Sequence, residues 1–312
     1  MKSILSRFRL SLLGGCAMTV LAACASQPAN TDTGAAVYSS PEQAVDQLVE
    51  ASRADDKPQL LHILGPDAGK LIYSGDAVAD REHQQHFVTA YDTYHRLDGE
   101  GSDKETLVIG PEEWPVPIPL VRVSGGWSFD AAQGAQAIVD RRIGRNELNV
   151  ITVCREYVAA QRDYAEMRRA ETGKAEFAQH LTSNLGRHDG LYWTAQTGKP
   201  ESPFGPLMAA AQAQGYGKSV GTRQPYHGYY FRILTKQGPA AAGGERNDIQ
   251  HGRMTRGFAL IAFPAVHGDS GIKSFIVNQN GIVYERDLGK DTATQALVID
   301  AYNPDDDWSP VD

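Results

Sequence analysis

Gly268-Asp269-Ser270-Gly271 sets a serine beside an aspartate between two glycines, an order that suits a nucleophile in acyl transfer. Such a serine needs a histidine base and an acid to orient it. Here the segment continues as Ile272-Lys273 and no matching histidine motif accompanies it, so a polar turn between strands accounts for the tetrapeptide. His83 and His86 stand three apart on a helical stretch, a spacing that can turn two imidazoles toward one zinc ion. No third ligand follows at a recognisable spacing, and a solvated face rich in Glu and Gln is the competing account. Cys154 is a candidate thiol, but it lies on the apolar arc of a helix, where a free cysteine packs as a small hydrophobe. Asn303, Asp305 and Asp307 alternate as oxygen ligands for calcium would, without the glycine turn and closing glutamate of an EF-hand; a solvated acidic tail is the alternative. Arg141, Arg142, Arg145 and Glu147 concentrate charge, as a structural salt-bridge network or a ligand clamp. Tyr226-His227-Gly228-Tyr229-Tyr230 is aromatic enough for a binding hot spot, though a strand facing a core explains most of it. No phosphate loop, dinucleotide fingerprint or zinc-protease signature is present. No catalytic residue, cofactor or metal is therefore assigned.

The clearest chemistry is at the start. Lys2, Arg7 and Arg9 precede an apolar run from Leu10 to Val20, too short to span a bilayer as a helix. Leu21-Ala22-Ala23-Cys24 then follows, and it resembles the lipobox of bacterial lipoproteins. That resemblance implies a signal peptide over residues 1–23 and a Cys24 lipidated with acyl chains such as palmitate. Several chains on one cysteine hold stably, where one is marginal. Ala25, rather than a retention-type aspartate, follows the cysteine, which by the same resemblance implies the periplasmic face of the outer membrane.

The charge agrees with an anchor made of lipid alone. The whole chain carries −8, and removing three basic residues with the leader brings it to −11. An acidic chain lacks the Lys/Arg patch that nucleic acid or anionic lipid requires. With Cys16 leaving and Cys24 lipidated, Cys154 stands alone, so packing and not a disulfide must hold the fold.

The elements that position these residues are readable in outline. Small polar residues to position 39 form a tether. Ser40-Pro41-Glu42-Gln43 starts a helix whose buried face is Val45, Leu48 and Val49. Asp55-Asp56 ends it, and Leu60, Leu61, Ile63 and Leu64 mark another that stops at Gly65-Pro66. A longer helix is expected from Asp80 to Leu97, with Phe87, Tyr91 and Tyr94 inward. Thr106 to Ile109 is a strand, Pro115, Pro117 and Pro119 make their segment an edge or a polyproline-like lead-in, and Leu120 to Phe129 reads as a hairpin around Gly125-Gly126. A helix starting at Arg145 carries a wide apolar arc through Val150, Cys154, Tyr157 and Tyr164, as it would against a sheet. A short helix is expected near Pro206 to Ala213. The sheet follows as 229–234, 258–263 and 273–277, with Asn280-Gly281 turning the last into Ile282-Val283-Tyr284.

This is an α+β chain, expected as two domains, 40–138 and 139–312, after the 1–23 leader and the 24–39 tether. The first resembles the cone of nuclear transport factor two-like proteins. The second resembles the head of type IV pilins, although no long apolar helix precedes Glu147 to form a pilin stem. Taken whole, the chain is similar to the lipoprotein family catalogued as domain of unknown function 2950. That similarity rests on Ile63-Leu64-Gly65-Pro66, Ser74-Gly75-Asp76, Trp114-Pro115, Arg141 to Leu148, Asp189-Gly190-Leu191-Tyr192-Trp193, Tyr226 to Tyr230 and Gly268 to Gly271. The expected role is a non-catalytic interaction or assembly protein of the envelope, tethered to the membrane through Cys24 and meeting a protein partner. A small-ligand or lipid binder with a cavity near Trp114 and Trp127, and an enzyme with an unrecognised site, are the alternatives.

Overall fold

The computed structural model describes residues 34–99, 101–195, 201–214, 216 and 224–311; the leader and Cys24 lie outside them. Helix α1 (Pro41–Arg53) begins where Ser40 Oγ accepts the Gln43 N–H and Gln43 Oε1 accepts the Ser39 N–H at 3.0 Å. Asp56 caps α2 (Lys57–Leu64) by accepting from Gln59 N. A single 3₁₀ turn, Pro66–Ala68, then leads into α3 (Gly69–Ile72). Helix α4 runs Ala77–Thr93, not Asp80–Leu97. Its start is set by Asp76, and its end by pairing: His95–Gly99 is drawn into strand β1 against β2 (Lys104–Ile109), which leaves Tyr94 exposed while Phe87 and Tyr91 pack on the core. Ladder hydrogen bonds outweigh a helical pattern whose last turn has little left to bury.

Strands β3 (Trp114–Pro115), β4 (Leu120–Val123) and β5 (Gly126–Phe129) complete an antiparallel sheet of order β1-β2-β4-β5. Both β3 and β4 pair with β2, and the prolines between them prevent one continuous strand. Leu107, Ile109, Leu120, Trp127 and Phe129 fill this sheet's inner side against α1 and α2. Trp127 is buried in this core, whereas Trp114 lies exposed on the outside under the Arg141 guanidinium, 5.3 Å from its ring.

Asp130 caps helix α5, which runs unbroken from Ala131 to Thr172 and ends at Gly173. At 1.5 Å per residue it is roughly 60 Å long. The expected start at Arg145 is corrected by 14 residues, from 145 to 131, and the boundary expected between 138 and 139 falls inside the helix. Gly134 lets the first turns approach the chain closely, since a Cβ there would lie 2.1 Å from the Pro117 carbonyl oxygen.

Beyond α5 come the parallel pair β6 (His180–Thr182) and β7 (Gly190–Tyr192), helix α6 (Gly205–Gln214), and β8 (Tyr229–Leu234). Two short ladders follow, β9 (Lys236–Gln237) with β10 (Arg246–Asn247), and β11 (Ile249–Gln250) with β12 (Arg253–Met254). Strands β13 (Ala259–Pro264), β14 (Lys273–Asn278) and β15 (Val283–Asp287), helix α7 (Thr292–Val298) and β16 (Ser309–Pro310) close the chain. The second sheet is antiparallel in the order β16-β15-β14-β13-β8. Every residue of β13 is buried because both faces are covered. Leu260 and Ala262 meet Val150, Cys154 and Tyr157 of α5, while Ala259, Ile261 and Phe263 pack in a second layer with Ala296 of α7, Tyr302 and Trp308. Each large side chain so buried contributes roughly 1.5–3 kcal/mol. The fold is α+β, with α5 between two sheets.

Candidate functional site

Four of the stretches singled out in the sequence meet at one place. Asp76, buried at the start of α4, accepts the Val78 and Ala79 N–H groups on Oδ1, both at 3.1 Å. Its Oδ2 accepts the Tyr216 hydroxyl at 2.8 Å and the Gly228 N–H at 2.9 Å, 152 residues away. Tyr216 Oη in turn accepts from His227 N at 3.3 Å. The receiving loop is a tight turn: Tyr229 N bonds Tyr226 O at 3.1 Å, with φ of +50° at His227 and +75° at Gly228. Burial first, then the Asp76 carboxylate, raises the Tyr216 phenol above its ordinary value, so it is fixed as a donor.

From α5, Asn146 Nδ2 donates to Ser270 O at 2.9 Å, and Glu147 Oε1 accepts the Ile272 and Lys273 N–H groups, both at 2.9 Å. Arg142, buried, donates from Nη2 to Lys70 O at 2.6 Å, while its Nη1 has no hydrogen-bond partner among the described residues. Burial lowers that guanidinium from its ordinary value, and Asp80 and Asp269 offset part of the loss. Asp80 accepts from Ser74 N and Oγ, and desolvation still raises its carboxyl. Lys70 Nζ stands 3.3 Å from Asp269, and both line a cleft of about 520 Å³ with Pro66 and Tyr73.

The charged cluster at Arg141 to Glu147 thus divides by role. Arg142, Asn146 and Glu147 tie backbone to backbone, and Arg141 stacks over Trp114. Ser270 is buried in its turn, its Oγ donating to Val266 O at 3.1 Å and accepting from Val266 N at 3.0 Å. The neighbouring imidazole, His267, faces Asp287 at 2.8 Å. Nothing here primes a serine for attack.

The other sequence candidates lie apart. Cys154 is wholly buried in the second core, and desolvation pushes its thiol up to about 12, leaving it protonated and inert. Asn303 Oδ1 accepts from Ala240 N at 2.9 Å, Asp305 Oδ1 from Asp307 N at 3.2 Å, and Asp307 pairs with Arg286 at 2.8 Å, so each of the three residues proposed for calcium has an oxygen turned to another partner. No group of three His, Cys, Asp or Glu side chains among the described residues is placed to hold a metal. His83 is half-buried, and not the freely solvated residue that its sequence context suggests.

Burial, then the charges of Arg145 and Arg142, lower the His83 imidazole to about 4, and the same positive field opposes a zinc ion. An imidazole that stays neutral when folded but binds a proton near pH 6.5 when unfolded favours folding above that pH. Stability is therefore expected to fall as pH drops from about 6.5 to about 4, by up to about 3 kcal/mol. Urea denaturation at stepped pH checks this, and His83→Gln should flatten that part of the profile.

What sequence reasoning missed is that Ser74-Gly75-Asp76, Arg142 to Glu147, Tyr226 to Tyr229 and Asp269 to Gly271 form one network. The available signal was a pairing of types, buried acids against turns rich in glycine. A model of the family described as "Protein of unknown function (DUF2950)" matches residues 35–311. No curated protein and no solved structure matches, so the likenesses to a nuclear transport factor two-like cone and a pilin head rest on sequence alone.

Proposed function

The chain belongs to the DUF2950 family, and from that premise we propose that it is a lipid-anchored envelope protein whose folded part binds or assembles rather than catalyses. One observation supports this most: apart from Arg142 Nη1, the polar groups that join the network's segments are spent on holding them together. Both Asp76 oxygens, Glu147 Oε1, the Asn146 amide and the Ser270 hydroxyl are committed to partners within the chain. A catalytic site instead aims uncommitted groups at a reacting atom. A partner of the envelope would meet a surface that this network keeps in shape.

The anchor reading rests on Lys2, Arg7, Arg9 and the Leu21-Ala22-Ala23-Cys24 run, which lie outside the described residues. No helix among the described residues is long and apolar enough to cross a membrane. Growth with an alkyne-tagged fatty acid is expected to label the wild-type chain, and Cys24→Ala is expected to abolish the label and release the protein from membranes. Label retained by Cys24→Ala would overturn the anchor. For the role itself, detergent-solubilised membranes should yield a stoichiometric complex with one envelope protein. A turnover abolished by changing one polar residue would overturn the non-catalytic reading.

A further inference from the structure

On the far part of α5 a second cleft, of about 490 Å³, lies between the helix, the loop before β7 and the turn joining β11 to β12. That volume is within the range of small-molecule sites. These walls are tied together, in part through the segment 176–179 that follows the helix. Arg168 Nε donates to Glu176 Oε1 at 2.6 Å, and Tyr164 Oη donates to His188 O at 2.8 Å. Gln179 Nε2 donates to Gly252 O at 3.0 Å. A ligand would meet a surface already in place, and the ordering cost of binding would be small.

The lining charges balance: Arg168, Arg187 and Arg253 against Glu171, Glu176 and Asp189. They differ in how far they are already committed. Arg168 and Glu176 hold each other, and Asn184 occupies both oxygens of Asp189, from N and Nδ2, each at 2.8 Å. Arg187 is exposed with no ion-pair partner among the described residues. Arg253 is 58% exposed, its Nε 3.6 Å from Glu176. On the helix, Glu171 is 45% exposed and engages only Oε2, with Arg168. Uncommitted positive charge thus sits on the loop at Arg187, beside an Arg253 held by Glu176 through Nε alone, and a free acidic oxygen on the helix. A simple anion would meet Glu171 and a simple cation the two arginines, whereas a molecule with both charges satisfies each. Among the lining residues, the His188 ring stacks on Trp193 at 4.4 Å and 17°, a fixed flat surface, and Phe177 supplies a second ring.

We propose that this cleft binds a zwitterion, an α-amino acid or a short peptide with free ends, its carboxylate on Arg187 and Arg253 and its ammonium on Glu171. Planar arginine groups suit a carboxylate through paired hydrogen bonds. The cleft stands apart from the network at Asp76, and the inference does not depend on the anchor or on the absence of catalysis.

The test is calorimetry on the full chain in detergent with phenylalanine, Gly-Phe, N-acetyl-Gly-Phe and Gly-Phe-amide. Phenylalanine or Gly-Phe is expected to bind with Kd of about 1 mM or tighter, and whichever binds better distinguishes an amino acid from a peptide. For the dipeptide, blocking either end should weaken binding about tenfold. Arg187→Ala should cost about as much, with Arg187→Lys recovering part of it. Glu171→Gln should weaken Gly-Phe but leave N-acetyl-Gly-Phe unchanged, which separates the ammonium contact from general damage; far-UV melting curves confirm that each variant folds. No binding of either free-ended probe at about 5 mM, or equal binding of blocked and free forms, would overturn the proposal.

Discussion

Asp76→Ala is expected to lower the free energy of unfolding by about 4 kcal/mol, the largest loss for any single polar substitution considered for this chain. The carboxylate does two things at once. On one oxygen it caps α4, a contribution of about 1 kcal/mol. On the other it receives Tyr216 Oη and Gly228 N, both of which alanine would leave without a partner in a buried place. Each orphaned group costs about 1–3 kcal/mol. Asp76→Asn should lose about half as much, because one acceptor survives while the amide N–H groups oppose donors. Urea denaturation of the two variants beside wild type checks the order. A loss under about 1 kcal/mol for alanine would mean that water satisfies both groups and that Asp76 does not join the segments.

The second large effect comes from the opposite side of that contact. Gly228→Ala should cost about 3 kcal/mol, from two sources of similar size. At φ of +75° a Cβ is strained by about 1–2 kcal/mol. The added atom would also lie 2.8 Å from Asn146 Nδ2 and 2.9 Å from Ser270 Cβ, and overpacking of this kind costs about 1–3 kcal/mol. Combining it with Asn146→Ala removes one of the two clashes, so the pair should be less damaging than the sum of the singles. A double-mutant cycle reads that coupling directly. Additive losses would show that the turn and α5 do not press on each other.

Much of the second half of the fold was legible because its signals are local. Asn280-Gly281 announces its own turn, and the apolar runs at 229–234, 258–263 and 273–277 are too short and too β-branched or aromatic for helices. The same holds for Ser40-Pro41 and the glycine hairpin before Trp127. The first turns of α5 gave no such signal. Ala131-Ala132-Gln133-Gly134-Ala135 has good helix formers but no apolar stripe, since it packs by being small. Tyr94 shows the reverse failure, an aromatic at a helical spacing that belongs to a strand boundary. The network at Asp76 was legible only as separate phrases. Its contacts join positions more than a hundred residues apart, and no periodicity in one strand or helix encodes which turn a buried acid will meet.

The unbroken course of α5 also sets an order of events in time. Its apolar arc is made early, yet the strands that cover it come late: Tyr157 waits for the Ala259 carbonyl, 102 residues further on, and Glu147 for Ile272, 125 residues further on. At the pace of synthesis, about 5–20 residues per second, that is an interval of roughly 5–25 seconds. The first core, closed by residues up to Ala131, needs no such wait. Until those strands are made the chain carries a bare helical flank, and a holding chaperone would find its work on the stretch from Val150 to Tyr164.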